Sequence, residues 1–542
     1  MTSEPVLTAL FASKWIEKKD RMLAELQCFA SIEDEAAQIL GKSESTLWLN
    51  GLTRLTEESA AWLCRAKYCL NLDGLTSLAP NIARHLGACS GELHLNGLAS
   101  LSPHLASLLA GNPRVLSLNG LQEISQEVAA EFVRYDGRLR LDGIASIAPE
   151  ASQYLKKCGV SLRGLRELSI ANARNLYGPH RYTQHNLDGV ESVDEEVAEY
   201  LERYGYGRLS LEGLRSFAES SAHLSLARQL VSTTYKDNHI TLLHLEMLPA
   251  SIAAVFGSHR FFIKLGIREL PPEVAAALVK TRKSKDQDSA LVLNKLECLT
   301  PETAKVLAKH KAPLYLNGLT HLCEYAAREL AKHNSYLLSL DGLADASEVT
   351  LEHLASHEGP LSLGGVKQLR DADAVALAKC PGVHLCLRGL KALSPSTCSA
   401  LRKFKGTIGE GVAPMGERIN YRYSKSVKGI PFLGLDGVSV LAHREVEELS
   451  KFKGKLSLSR IVESLTELSS SDIDVALSQL LATRTHDLVG LSFRMLRSLS
   501  IEAATELAKY AGALRLPALS STAEVLGILR SRPSHSTVLP SE

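Results

Sequence analysis

Leucines recur along this chain in pairs set two residues apart. Leu47-Trp48-Leu49, Leu70-Asn71-Leu72, Leu93-His94-Leu95, Leu116-Ser117-Leu118 and Leu139-Arg140-Leu141 each begin 23 residues after the last. A spacing of two places both leucines on one side of an extended chain, which predicts a short strand with one buried face. Asn50-Gly51, Asp73-Gly74, Asn96-Gly97, Asn119-Gly120 and Asp142-Gly143 follow. Such dipeptides predict a turn, with glycine accepting a positive φ at little cost. A polar residue before each glycine predicts a ladder whose side chains bond neighbouring backbone and secure each turn.

The second half of each repeat has helical spacing. In the repeat from Leu291, Thr300 is placed as N-cap, Pro301 at the first helical position and Glu302 near the positive end. Ala304, Leu307 and Ala308 then share an inward face, and His310 suits the C-terminal dipole. In other repeats a glycine such as Gly359 or Gly454 is the expected helix stop.

The unit L-x-L-[ND]-G-L-x-x-L-[ST]-x-E-x-A-x-x-L-A-x-x-x-G recurs about 20 times, some copies being degenerate. One copy cannot bury its leucines; stacked copies can. The expected fold is an α/β solenoid of about 20 strand–turn–helix units, a parallel sheet on one face and helices on the other. The unit resembles the leucine-rich-repeat superfamily, in particular bacterial variants with a 23-residue L-x-L-x-G-L-x-x-L repeat. That resemblance implies protein recognition on a curved scaffold; the repeats alone imply only a surface.

Residues 1–23 are expected to form an N-terminal capping helix, with an apolar stripe that includes Leu10, Phe11 and Trp15. A continuous array follows over 24–402, then an irregular basic insertion or decayed repeat at 403–432. C-terminal repeats are placed at 433–530 and a disordered tail at 531–542. The 402–428 segment gathers Arg402, Lys403, Lys405, Arg418, Arg422, Lys425 and Lys428 against Glu410 and Glu417, with Tyr421 and Tyr423 between them. Insertions in repeat arrays lie on one face and often bind.

Composition narrows the function. Leu fills 94 of 542 positions, while aromatics supply 5%, so the core is built mainly from leucine. With 61 Lys and Arg against 60 Asp and Glu, no global field draws in nucleic acid or an anionic membrane. No apolar run reaches the ~18 residues a membrane helix needs. No basic n-region opens the chain, so a secretory signal is not expected. Ten cysteines form no Cys-x-x-Cys pair and are expected to be buried, reduced core thiols in the cytoplasm, with leaderless export the alternative.

Catalytic and cofactor motifs are not found. Gly41-Lys42-Ser43 superficially fits a phosphate loop, but the order is helix then strand, the reverse of what phosphate binding needs. The cluster His180, Arg181, Tyr182 and His185 has no metal-ligand or triad spacing. No enzyme activity, cofactor, metal or small-molecule substrate is expected.

The middle residue of each L-x-L is expected on the exposed sheet face. Trp48, His94, Arg140 and Tyr315 are the strongest candidates for partner binding there, because aromatic and Arg side chains dominate hot spots. Arg418, Tyr421, Arg422, Tyr423 and Lys425 are the candidates in the insertion. The reading is a non-catalytic scaffold for a protein partner; a self-associating structural protein is the alternative, and an enzyme ranks last.

Overall fold

In the computed structural model the chain divides into two compact halves, 1–255 and 256–542. That boundary falls inside the array expected to run unbroken over 24–402. The structure describes all residues except 1–4, 18–22, 44, 113, 177–186, 205–208, 234–238, 260–261, 280–288, 334–336, 383, 407–431, 439–440, 442, 454, 458–489, 493–498, 510–512, 517–518, 520–521, 532–536 and 539–542.

The first half opens with strand β1 (Val6–Leu7), which pairs in parallel with β2 (Ser31–Ile32). Helix Ala9–Glu17 follows β1 and buries Ala12 and Trp15. The segment expected to be a lone capping helix is thus a strand and a helix, because Val6-Leu7 can satisfy its backbone against the first repeat. Six parallel strands form the main sheet: β3 (Leu47–Trp48), β4 (Cys69–Asn71), β5 (Glu92–His94), β6 (Val115–Ser117), β7 (Arg138–Arg140) and β8 (Gly159–Ser161). Their register is the repeat itself: Leu47, Leu70, Leu93, Leu116, Leu139 and Val160 stand side by side. In later repeats the bridges Glu167 to Ser192 and Ser216 to Met247 precede β9 (His239–Leu242).

The second half repeats the plan with β10 (Phe262–Leu265), β11 (Leu291–Val292), β12 (Leu314–Tyr315), β13 (Leu338–Ser339), β14 (Leu361–Ser362), β15 (His384–Cys386), β16 (Phe432–Gly434) and β17 (Lys455–Ser457). Leu385 pairs directly with Leu433, so the sheet crosses the 403–432 region without an intervening strand. Residues 407–431 of it lie outside the described residues. β18 (Gly490–Ser492), β19 (Ala513–Arg515) and β20 (Thr537–Val538) make a separate three-stranded sheet. Part of the tail expected to be disordered is thereby strand, held by Leu514 and Arg515.

The helices carry the second layer, each burying a short apolar stripe. Ala304 and Leu307 are fully buried, as are Ala83 and Leu86, Ala106 and Leu109, and Ala327 and Leu330. Starts follow the expected chemistry: the side chains of Thr56, Ser102, Ser125, Thr300, Ser347 and Ser394 each accept the backbone N–H three residues on, worth about 1 kcal/mol apiece. The stops do not. The residue after the helix is Ala308, Ala331, Ala355 or Ala378 in right-handed helical geometry, and Gly359 lies farther along the loop. Gly454 lies outside the described residues.

Glycine after the ladder residue also has a different cause from the one expected. Among the described glycines only Gly406 has a positive φ. At Gly120 an added Cβ would sit 2.0 Å from the carbonyl oxygen of Asn96, one repeat back. Close stacking of successive turns demands glycine there; turn conformation does not.

One buried column closes each repeat. His310, His333, His357 and Cys380 occupy equivalent positions between helix end and next strand, at 2% exposure or less. The His333 and His357 rings stack with centroids 5.7 Å apart. His310, expected at the helix C-terminus, is buried there. The thiols divide as well: Cys89, Cys158, Cys380, Cys386 and Cys398 are buried as expected, but Cys28, Cys298 and Cys323 are exposed.

A pH prediction arises in the first half. His223 is buried, its Nδ1 accepts the Ala218 N–H at 3.3 Å, and Phe217 meets its ring edge-on. Burial holds its imidazole below the ordinary value, against the opposing pull of Glu195 and Asp194. The unfolded chain therefore takes this proton first as pH falls. Stability present above the free imidazole value of ~6.5 is lost below it. Urea midpoints measured on either side of that value are expected to converge in His223→Gln, which cannot titrate there.

Candidate functional site

The outward side of β3–β8 carries two rows of side chains, because alternate residues of a strand share a face. One row is the middle of each L-x-L: Trp48, Asn71, His94, Ser117, Arg140 and Ser161. The other stands two residues earlier and includes Cys69, Glu92, Val115 and Arg138.

A side-chain ladder runs along the turn edge of this sheet. The N–H of Asn96 donates to Asp73 Oδ1 at 2.9 Å, that of Asn119 to Asn96 Oδ1 at 2.9 Å, and that of Asp142 to Asn119 Oδ1 at 2.9 Å. Each acceptor can take a second donor. Ser117 Oγ donates to Asn96 Oδ1 at 2.8 Å and Ser161 Oγ to Asp142 Oδ1 at 2.6 Å. Asn317 and Asp341 do the same for Ser339 and Ser362 in the second half. The expected ladder is present, and the serines belong to it.

This changes the reading of the middle row. Not every middle residue is exposed: Ser117, Val292, Ser339, Ser362 and Cys386 are all at 4% or less. Small side chains sink between larger neighbours and are tied to the turns. Where the ladder lacks a side chain, at Gly364, the Arg388 guanidinium reaches Asp341 two repeats away. An added Cβ at Gly364 would lie 2.9 Å from Arg388 Nε, so the missing side chain leaves the path open.

Of the residues singled out in the sequence, Trp48, His94 and Arg140 share this one sheet, on β3, β5 and β7. Each is two strand steps from the next, about 10 Å. Trp48 is 41% exposed, while His94 and Arg140 are half-buried. Tyr315 belongs to the other half and packs against the buried cluster Phe262, Ala290 and Val292, so it is anchored in place rather than freely presented. Arg418, Tyr421, Arg422, Tyr423 and Lys425 lie outside the described residues, as do His180, Arg181, Tyr182 and His185.

The stack also brings together three donors that were not singled out as a group. Cys69 and Glu92 are register partners on β4 and β5, and His94 lies two residues beyond Glu92 on the same face. One donor atom from each lies within 4.8 Å of the other two. His94 Nε2 is 3.7 Å from Glu92 Oε2 and is buried with no hydrogen-bond partner. Burial pushes the Cys69 thiol up to about 11, with the Glu92 carboxylate adding to the rise and Arg140 opposing it. Beside the cluster, Asn71 and Asp73 are bonded to each other. The only sequence signal is modular: 69 and 92 are one repeat apart, so they share a column when repeats are superposed.

No protein-family model matches the chain, and no curated protein matches it. Among solved structures, the crystal structure of a TLR13–ssRNA13 complex is similar at 13% identity and a TM-score of 0.27, over 94% of this chain and 63% of that one. This chain thus spans less than two thirds of the TLR13 chain. An internalin (inlF) from Listeria monocytogenes is similar at 11% identity and a TM-score of 0.22, over 86% of this chain and 90% of that one. At such loose likeness the architecture rests on the strand registers and helices themselves.

Proposed function

We propose that this chain is a non-catalytic leucine-rich-repeat-like scaffold that recognises a protein partner through the β3–β8 face, with the 403–432 insertion as a second contact. The observation that carries the reading is Trp48. A large indole stands 41% exposed on a strand whose neighbours are fixed in register. An ordered aromatic on a rigid frame loses little entropy when it binds. Arg140 supplies a guanidinium on the same face, and the ladder holds the strands between them. Exposed thiols at Cys28, Cys298 and Cys323 suit a reducing compartment such as the cytoplasm.

The test is affinity capture from nuclease-treated native lysate, read by mass spectrometry. The bait is the intact chain, the double variant Trp48→Ala/Arg140→Ala, or a chain with residues 406–430 replaced by a Gly/Ser linker. The double variant is expected to retain at least ~10-fold less of the specific partner, with stability changed by no more than about 0.5 kcal/mol per site. A partner retained by the double variant but lost with the linker moves recognition to the insertion. Loss of capture on nuclease treatment alone replaces the protein partner with a nucleic acid.

A further inference from the structure

We propose that Cys69, Glu92 and His94 form a binding site for a zinc-class divalent cation on the β4–β5 face. The site follows from the stack. Parallel strands in register set Cys69 and Glu92 one strand step apart on one face, and period two sets His94 beside Glu92. The three donor atoms already lie within 4.8 Å of one another. Zinc bonds of ~2.0–2.3 Å require donors a little closer than that, within reach of small side-chain rotations.

Ligand chemistry selects the ion. A thiolate, an imidazole and a carboxylate suit zinc or cobalt, whereas calcium takes six to eight oxygens and magnesium an octahedral oxygen shell. Charge also closes. The thiolate and carboxylate together balance a divalent cation, and binding releases the thiol proton to solvent. His94 Nε2, which has no hydrogen-bond partner, gains a ligand bond. Arg140, on β7 three strands from Cys69, is a cation that acts on the Cys69 thiol, and it sets a limit on affinity. Three protein ligands leave a fourth position, and the 40% exposure of the Glu92 side chain gives water a route to the cluster. That is an open site of the kind that takes water or an outside donor, not a closed structural one. The proposal stands independently of protein docking on this face.

The test uses the full-length, metal-free, reduced chain titrated with Co²⁺, then competed with Zn²⁺. One equivalent of Co²⁺ is expected to raise a thiolate-to-cobalt charge-transfer band together with intense tetrahedral ligand-field bands, both abolished by Zn²⁺. Cys69→Ser is expected to lose the charge-transfer band. Glu92→Gln and His94→Ala are expected to weaken binding by at least ~10-fold. Cys28→Ser and Cys64→Ser should bind as the parent does. A second readout needs no variant: Zn²⁺ should protect Cys69 of the parent chain from alkylation, read peptide by peptide. A parent chain that binds no cobalt, a band that survives in Cys69→Ser, or alkylation of Cys69 unaffected by Zn²⁺ overturns the site.

Discussion

Gly120→Ala is expected to destabilise the first half of the chain by about 3 kcal/mol, the top of the usual range for forcing a methyl into a closed space. The added Cβ would fall 2.0 Å from the Asn96 carbonyl oxygen and 2.7 Å from that of Leu98. Both obstacles are backbone, so no side chain can swing aside. Relief requires separating two turns whose strands are locked in register, Leu93 to Leu116 and His94 to Ser117. The measurement is convenient because Trp15, Trp48 and Trp62 are the only tryptophans, all in the first half. Their fluorescence during urea unfolding reports that half alone. Gly159→Ala is the control: its nearest neighbour is Arg138 Cγ at 3.7 Å, ordinary contact, and the change is expected to stay within about 0.5 kcal/mol. Equal effects at the two sites would restore a general backbone role for these glycines and remove the stacking argument.

What could be read from the sequence was whatever the 23-residue period controls. Leu47, Leu70, Leu93, Leu116 and Leu139 stand side by side in the sheet because they stand one period apart in the chain. Thr300, Pro301 and Glu302 start a helix because capping is local. What escaped were contacts between repeats. The glycine of each turn is dictated by a carbonyl 23 or so residues away, invisible to a rule about local φ. The serines looked like bland surface because their acceptors, Asn96 for Ser117 and Asp142 for Ser161, lie in the preceding repeat. Cys69, Glu92 and His94 match no metal motif because such motifs describe one loop or one helix turn, whereas here the sheet supplies proximity. The candidate face was half legible. Trp48 is exposed as its position in the unit implies, yet Tyr315, at the same position, is packed on Phe262, Ala290 and Val292, which the two preceding strands β10 and β11 bring together.

Asn96→Ala is expected to cost about 2 kcal/mol, again read from tryptophan fluorescence in urea. The amide oxygen accepts two donors, the Asn119 N–H at 2.9 Å and the Ser117 hydroxyl at 2.8 Å. Removing it leaves both donors in a place where Ser117 is 1% exposed and water has little access. A stranded buried donor costs about 1–3 kcal/mol, more than the ~1 kcal/mol net worth of an ordinary hydrogen bond. Asn96→Asp keeps the oxygen, and Asp142 accepts the equivalent pair, from Ser161 and the Arg163 N–H, one strand pair farther along. Its cost is therefore expected to be under about 0.5 kcal/mol. Ser117→Ala removes a donor and its partner's second bond but strands nothing charged, and should cost less than about 1 kcal/mol. In the double variant Asn96→Ala/Ser117→Ala the hydroxyl is no longer stranded, so the combined loss should fall below the sum of the single losses. Strict additivity would mean that the serine does not belong to the ladder, and that the buried middle row is held by packing alone.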